Sequence, residues 1–109
     1  MACARVPFAG MDWQQSETHP LEKKKLGAAE RIAMLEFAPG FADPNWCERS
    51  HAIYVVSGEL ELELDDRVER IAAGEGCMLD AGTRHKARNA GSVAAVMFIV
   101  SDLDREAST

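Results

Sequence analysis

The stretch NWCERSHAIYVVSGELELEL, Asn45 to Leu64, decides the fold. Its second half alternates without a break, Leu60, Leu62 and Leu64 against Glu59, Glu61 and Glu63. That is the period of a strand with one apolar and one solvated face, so the three glutamates are predicted to point into water. Just upstream, Ala52 to Val56 (AIYVV) is rich in β-branched and aromatic side chains and runs into Ser57-Gly58, a turn. Two strands joined by a tight connection are predicted here. A thiol and an imidazole, Cys47 and His51, stand immediately before the first of them, and their placement raises a question of chemistry.

Working outward, Arg31 to Phe37 (RIAMLEF) is apolar on both parities and closed by Pro39-Gly40, as suits a strand buried on both faces. Val93 to Val100 (VAAVMFIV) reads the same way. Asp65-Asp66 is a tight turn into RVERI, the glycines at 74 and 76 close that strand before CML, and Asp80 to Thr83 turn the chain into HKARN. Short strands at intervals of about eight to twelve residues are the pattern of a sandwich or barrel. One helical rival, LGAAERIAMLEF, lacks a clear N-cap and is the weaker reading.

With 109 residues the chain holds one domain and one core. A formal charge of −6 argues against a nucleic-acid partner, which would be held by clustered Lys and Arg. The short basic run Lys23-Lys24-Lys25 is read as a solvated face. No apolar stretch is long enough for a bilayer, so the expectation is a soluble, cytoplasmic chain without a membrane partner. Three cysteines, Cys3, Cys47 and Cys77, form an odd set that suits reduced thiols better than a disulfide framework. Cys3 and Cys77 are read as small buried hydrophobes, His19 as a solvated histidine, and the methionines as core fillers.

Two segments, GFADPNWCERSHAIYVVSG and GEGCMLDAGTRHKARN, together resemble the two motifs of the cupin superfamily. In the second, Gly74, Gly82, His85 and Asn89 fall at the family's spacing, with Asp80 where the family has proline. In the first, counting back from Gly58 puts His51 where the family has its Glu, and Cys47 and Asn45 where it has its His-x-His pair. Gly40 fits the opening glycine with a one-residue difference, and the longer spacing instead aligns Trp46 and Glu48 with the histidine pair. The spacing survives while the ligand identities change. The resemblance implies an all-β fold, a double-stranded β-helix or jelly-roll barrel, with residues 31–100 as the barrel core. Residues 1–30 would contribute an N-terminal strand and loop segment to it, and 101–109 would form a tail. It also implies a divalent metal such as iron, nickel, manganese or zinc, and a tendency to form homodimers. Activities in the family range over dioxygenation, isomerisation and non-catalytic binding of sugars or effectors.

Residue chemistry supplies a separate test. Cys47 and His51 share a strand face by parity, yet four residues of straight strand separate their Cα atoms by about 13 Å. Metal–ligand bonds are only about 2.0–2.3 Å long. Both residues reach one ion only if the chain bends between them, and Pro44 favours an irregular entry into the strand. Given that bend, His85 from a distant segment completes a three-ligand set, and water, a substrate, Asn45 or Glu48 takes a fourth position. A thiolate with two imidazoles suits zinc and also accepts iron or nickel, and the family resemblance favours iron. Nucleophilic chemistry at Cys47 would need a neighbouring base and an oxyanion hole, and no helix start is evident to supply the latter. Arg49, Arg84, Lys86 and Arg88 alternate in parity, so some of them would face inward toward an acidic small molecule, with Trp46 at the mouth. The expectation is a barrel that binds a divalent metal through Cys47, His51 and His85 together with a small polar or acidic ligand, and that acts as a dioxygenase or isomerase if it turns over. The rival is a non-catalytic effector-binding barrel.

Overall fold

Alternation along the chain becomes the two faces of a pair of sheets. The computed structural model describes residues 3–103. Its strands are β1 (Gln14–Gln15), β2 (Glu22–Gly27), β3 (Ile32–Phe37), β4 (His51–Ser57), β5 (Glu59–Leu64), β6 (Val68–Ala72), β7 (Gly76–Leu79), β8 (His85–Arg88) and β9 (Ala95–Ser101). One sheet has the order β1-β2-β3-β9-β4-β7, the other β6-β5-β8, and every pairing is antiparallel. This is the expected jelly-roll barrel. Among the described residues the one helix is a 3-10 turn at Phe8–Gly10.

The inward parity of each strand supplies the core. Leu60 and Leu62 of the small sheet are buried against Val55, Met97, Phe37 and Ala95 of the large one, and Phe41 stacks on Phe37 at 3.9 Å. Burying each large apolar side chain stabilises the fold by about 1.5–3 kcal/mol, which is why the period-2 pattern outweighs the helical rival over 26–37. That segment is two strands, β2 and β3, joined by a turn in which Ala28, Ala29 and Glu30 all have positive φ. The sheets meet where β4 hands over to β5. Val56 is bulged out of the β4–β9 register, and Gly58 follows at φ 75°. A Cβ there would collide with the Ala94 carbonyl and lie 2.8 Å from the Ala95 Cα, so only glycine fits.

Several sequence expectations need correction. Lys23, Lys24 and Lys25 are not one solvated face but part of β2, whose alternation sends Lys24 toward the barrel interior while Lys23 stays exposed. Lys25 Nζ donates to the Phe8 carbonyl at 2.8 Å and sits over Trp13. Glu59 is solvated as predicted, but Glu61 is only 5% exposed. Its cover comes from outside the barrel, where Arg70 and Arg88 stand opposite it on β6 and β8 and Arg88 Nη2 donates to it at 2.6 Å. Cys3 is exposed rather than buried, and Cys77 is partly buried against the core. Met97 is a core filler, but Met78 is 69% exposed. His19 is half-buried, with Nδ1 accepting from the Leu21 N–H and its ring edge-on to Phe41 at 4.6 Å. Of the tail expected over 101–109, positions 104–109 lie outside the described residues, while Ser101 closes β9.

Candidate metal centre

The bend that the sequence required lies between 48 and 50. Cys47 belongs to the small sheet's side of the barrel, where its N–H and C=O both pair with His85, each at 2.9 Å. Residues 48–50 carry no strand pairing, and His51 then opens β4 in the large sheet. The chain thus crosses from one sheet to the other within this segment. An extended spacing of about 13 Å becomes a Cys47 Sγ to His51 Nε2 distance of 4.0 Å.

His85 opens β8 on the opposite wall, and its ring meets that of His51 edge-on at 5.3 Å between centroids. One donor atom from each of Cys47, His51 and His85 lies within 4.8 Å of the others. Tetrahedral zinc with such donors needs separations of about 3.3–3.6 Å. Side-chain rotation of roughly an ångström closes that gap, so the three residues fit one ion. Asn45 faces the same cavity, whereas Glu48 is exposed and absent from its lining. No carboxylate joins the three among the described residues.

Each imidazole is oriented from behind. His85 Nδ1 lies 2.9 Å from the Thr83 carbonyl, which can only accept, so the proton is on Nδ1 and the Nε2 lone pair is free. His51 Nδ1 is 3.0 Å from Ser101 Oγ, its cross-strand partner on β9. Burial, with a smaller contribution from His85, lowers the pKa of His51 to about 4, so this ring is neutral at physiological pH, as a ligand must be. Ser101 was not found by sequence reasoning. It is 50 residues from its partner, and a serine ending a strand carries no local signal.

The three residues stand at one end of a cavity of about 520 Å³ between the sheets. Trp46 lines it, with Arg84 and Lys86 over its ring at 4.6 and 5.0 Å. The cationic side chains proposed from parity are mostly spoken for. Arg49 lines the cavity but holds Asp102 through two contacts of 3.0 and 2.9 Å, Arg84 also lies 3.7 Å from Asp65, and Arg88 turns outward to Glu61. Asp43 accepts from the Ala87 N–H at 2.8 Å, and burial raises its pKa against the opposing effect of that bond. Asn89 carries no chemistry. It is 2% exposed, donates to the Phe37 and Val93 carbonyls and accepts from the Gly91 N–H, each at 2.9 Å, so its role in the motif is to tie loop to strand.

Barrel and site together define a cupin-type architecture. The cupin domain family model matches residues 33–101, and the chain belongs to that family. In fold it is similar to the polyketide cyclase RemF from Streptomyces resistomycificus, with a TM-score of 0.75 and 19% identity over 92% of this chain and 79% of that one. It is similar to KdgF from Halomonas sp., with a TM-score of 0.70 and 22% identity over 97% and 96%. It is also similar to Drosophila melanogaster CENP-C, seen bound to CAL1, with a TM-score of 0.69 and 15% identity over 83% and 75%. These identities carry the fold alone. No curated protein matches the sequence. No helix among the described residues is long and apolar enough to cross a membrane.

Proposed function

We propose that this cupin holds one zinc ion through Cys47 Sγ, His51 Nε2 and His85 Nε2, and binds a small molecule through a polar or acidic group placed beside them. The observation that carries this reading is the convergence of the three donors within 4.8 Å at the end of a cavity. Zinc is chosen over iron because thiolate with two imidazoles is a zinc donor set, and the carboxylate of the common non-haem iron triad is missing. When bound, the ion supplies a Lewis acid that polarises an oxygen of the ligand. Cys47 contributes the anionic donor, and Thr83 and Ser101 hold the two imidazoles. Elemental analysis of the purified protein tests this. Near one zinc per chain, lost in Cys47→Ala and His85→Ala, is expected, and no metal under any loading condition overturns the reading.

One observation favours a second reading, a metal-free barrel that binds an effector without turnover. Cys47 Sγ and His51 Nε2 are close enough at 4.0 Å for a weak thiol hydrogen bond, which gives both atoms a partner without an ion. A homodimer in the cytoplasm completes the proposal. Tyr54, Val56 and Met78, 51%, 49% and 69% exposed on β4 and the edge strand β7, support a covered outer face. A solution mass of one chain would sink that part.

A further inference from the structure

Resting on the ligand site just proposed, we infer that the cavity takes a molecule with a compact apolar body, alicyclic or aromatic, and a single oxygen function directed at the Cys47–His51–His85 cluster, in preference to a free sugar. Cross-strand register carries this inference. His51 and Ser101 are partners in one row of the large sheet's inner face. The next row, two residues or about 6.7 Å further along the strands, runs Ile53, Ile99, Ala33, Leu26 across β4, β9, β3 and β2. All four line the cavity.

The row has no side-chain donor or acceptor, and the backbone of its strands is engaged in the sheet ladders. The facing wall is similar, with Leu60, Leu62 and Ala87 from the small sheet. Polar side chains of the large sheet's inner face stand instead at the cluster and two and three rows from it, at Lys24 and Glu22, while on the facing side Asp43 stands beside Ala87 with one oxygen engaged by the Ala87 N–H. A sugar lying against the cluster would bury several hydroxyls on this belt with Asp43 alone beside them as a side-chain acceptor, which is costly. A ring or short hydrocarbon loses nothing there and gains about fourfold in affinity per methylene buried. Glu22, Glu30 and Asp43 outnumber Lys24 and the Asp102-bound Arg49 around the cavity, which disfavours a body carrying an anionic group of its own.

The test compares two probes with one head group. Acetohydroxamate and benzohydroxamate are titrated calorimetrically into the zinc-loaded protein. Benzohydroxamate is expected to bind at least tenfold more tightly. Ala33→Leu, which fills the belt, should abolish that advantage and leave acetohydroxamate within about twofold. Leu26→Gln, on a half-buried position of β2 where the fold tolerates polarity better, should reduce it in the same direction. Equal affinities in the parent protein, or an advantage untouched by both substitutions, overturn the inference. Failure of the chain to take up zinc is a separate result that removes the metal reading. The apolar belt is then measured on the metal-free protein, where cyclohexanol should raise Tm and glucose at equal millimolar concentration should not; the reverse order overturns the inference.

Discussion

The candidate site has two halves, built differently. Cys47 and His85 are locked by main chain, since each residue's N–H and C=O pair with the other's across the small sheet's edge. His51 is paired by main chain within the large sheet, and its ring is oriented by a side chain, the Ser101 hydroxyl at 3.0 Å. A ring held by a main-chain carbonyl keeps its partner when a neighbouring side chain is changed, whereas a ring held by one hydroxyl does not. The lesson concerns where variation is tolerated. All three Cα atoms are fixed by main-chain pairing, His51 between Leu79 and Ser101, so the halves differ in what orients each ring: a main-chain carbonyl for His85 and a replaceable hydroxyl for His51.

This contrast is open to attack from several directions. The largest effect is expected on removing a donor: His85→Ala and His51→Ala should each weaken zinc binding by more than about a hundredfold in a competition titration, beyond the range of supporting residues. In the His85 variant the backbone bridge to Cys47 should survive, visible as unchanged amide exchange protection at 47. Next comes pH. The His51 imidazole titrates near 4 in the folded protein against an ordinary 6.5. The unfolded chain therefore takes up the proton first, and stability is full above about pH 6.5 and falls as the pH drops toward 4. The loss is at most about 3 kcal/mol in the metal-free protein, read from urea unfolding across that window. His51→Gln should flatten the slope.

Ser101→Ala sharpens the comparison most directly. It should cost about tenfold in zinc affinity while changing unfolding free energy by roughly 1 kcal/mol, and Ser101→Thr, which keeps the hydroxyl, should restore the affinity. The smallest effect is expected on the outer face. Arg88→Ala breaks the contact with Glu61, but it also uncovers that carboxylate to water and leaves Arg70 opposite it. The stability change should be the smallest of the set and shrink in salt, read from urea unfolding at low and high ionic strength.

How much was legible beforehand follows from the range of each interaction. The run Glu59 to Leu64 announced itself because its pattern is local, and it forms β5 with those bounds. HKARN and AIYVV were recognised for the same reason and appear as β8 and β4. β2 was not placed, since Lys23, Lys24 and Lys25 hide the alternation that sends Glu22, Lys24 and Leu26 inward. Cover of Glu61 by two arginines was illegible because they arrive from strands on either side. In the site, Cys47, His51 and His85 stood out by chemical type and motif spacing, while Ser101 and the pairing of Arg49 with Asp102 depend on contacts 50 and 53 residues long.

By itself the sequence determined the barrel and the three residues worth watching, because period-2 alternation, turn residues and motif spacing are properties of neighbours along the chain. Only the tertiary structure decided that those residues share one cavity, that a serine and a carbonyl orient the two rings, and that an apolar belt lies beside them. Each of these depends on how two sheets stack and in what register, and sheet register is fixed by the joint burial of side chains from many strands, which no single segment encodes.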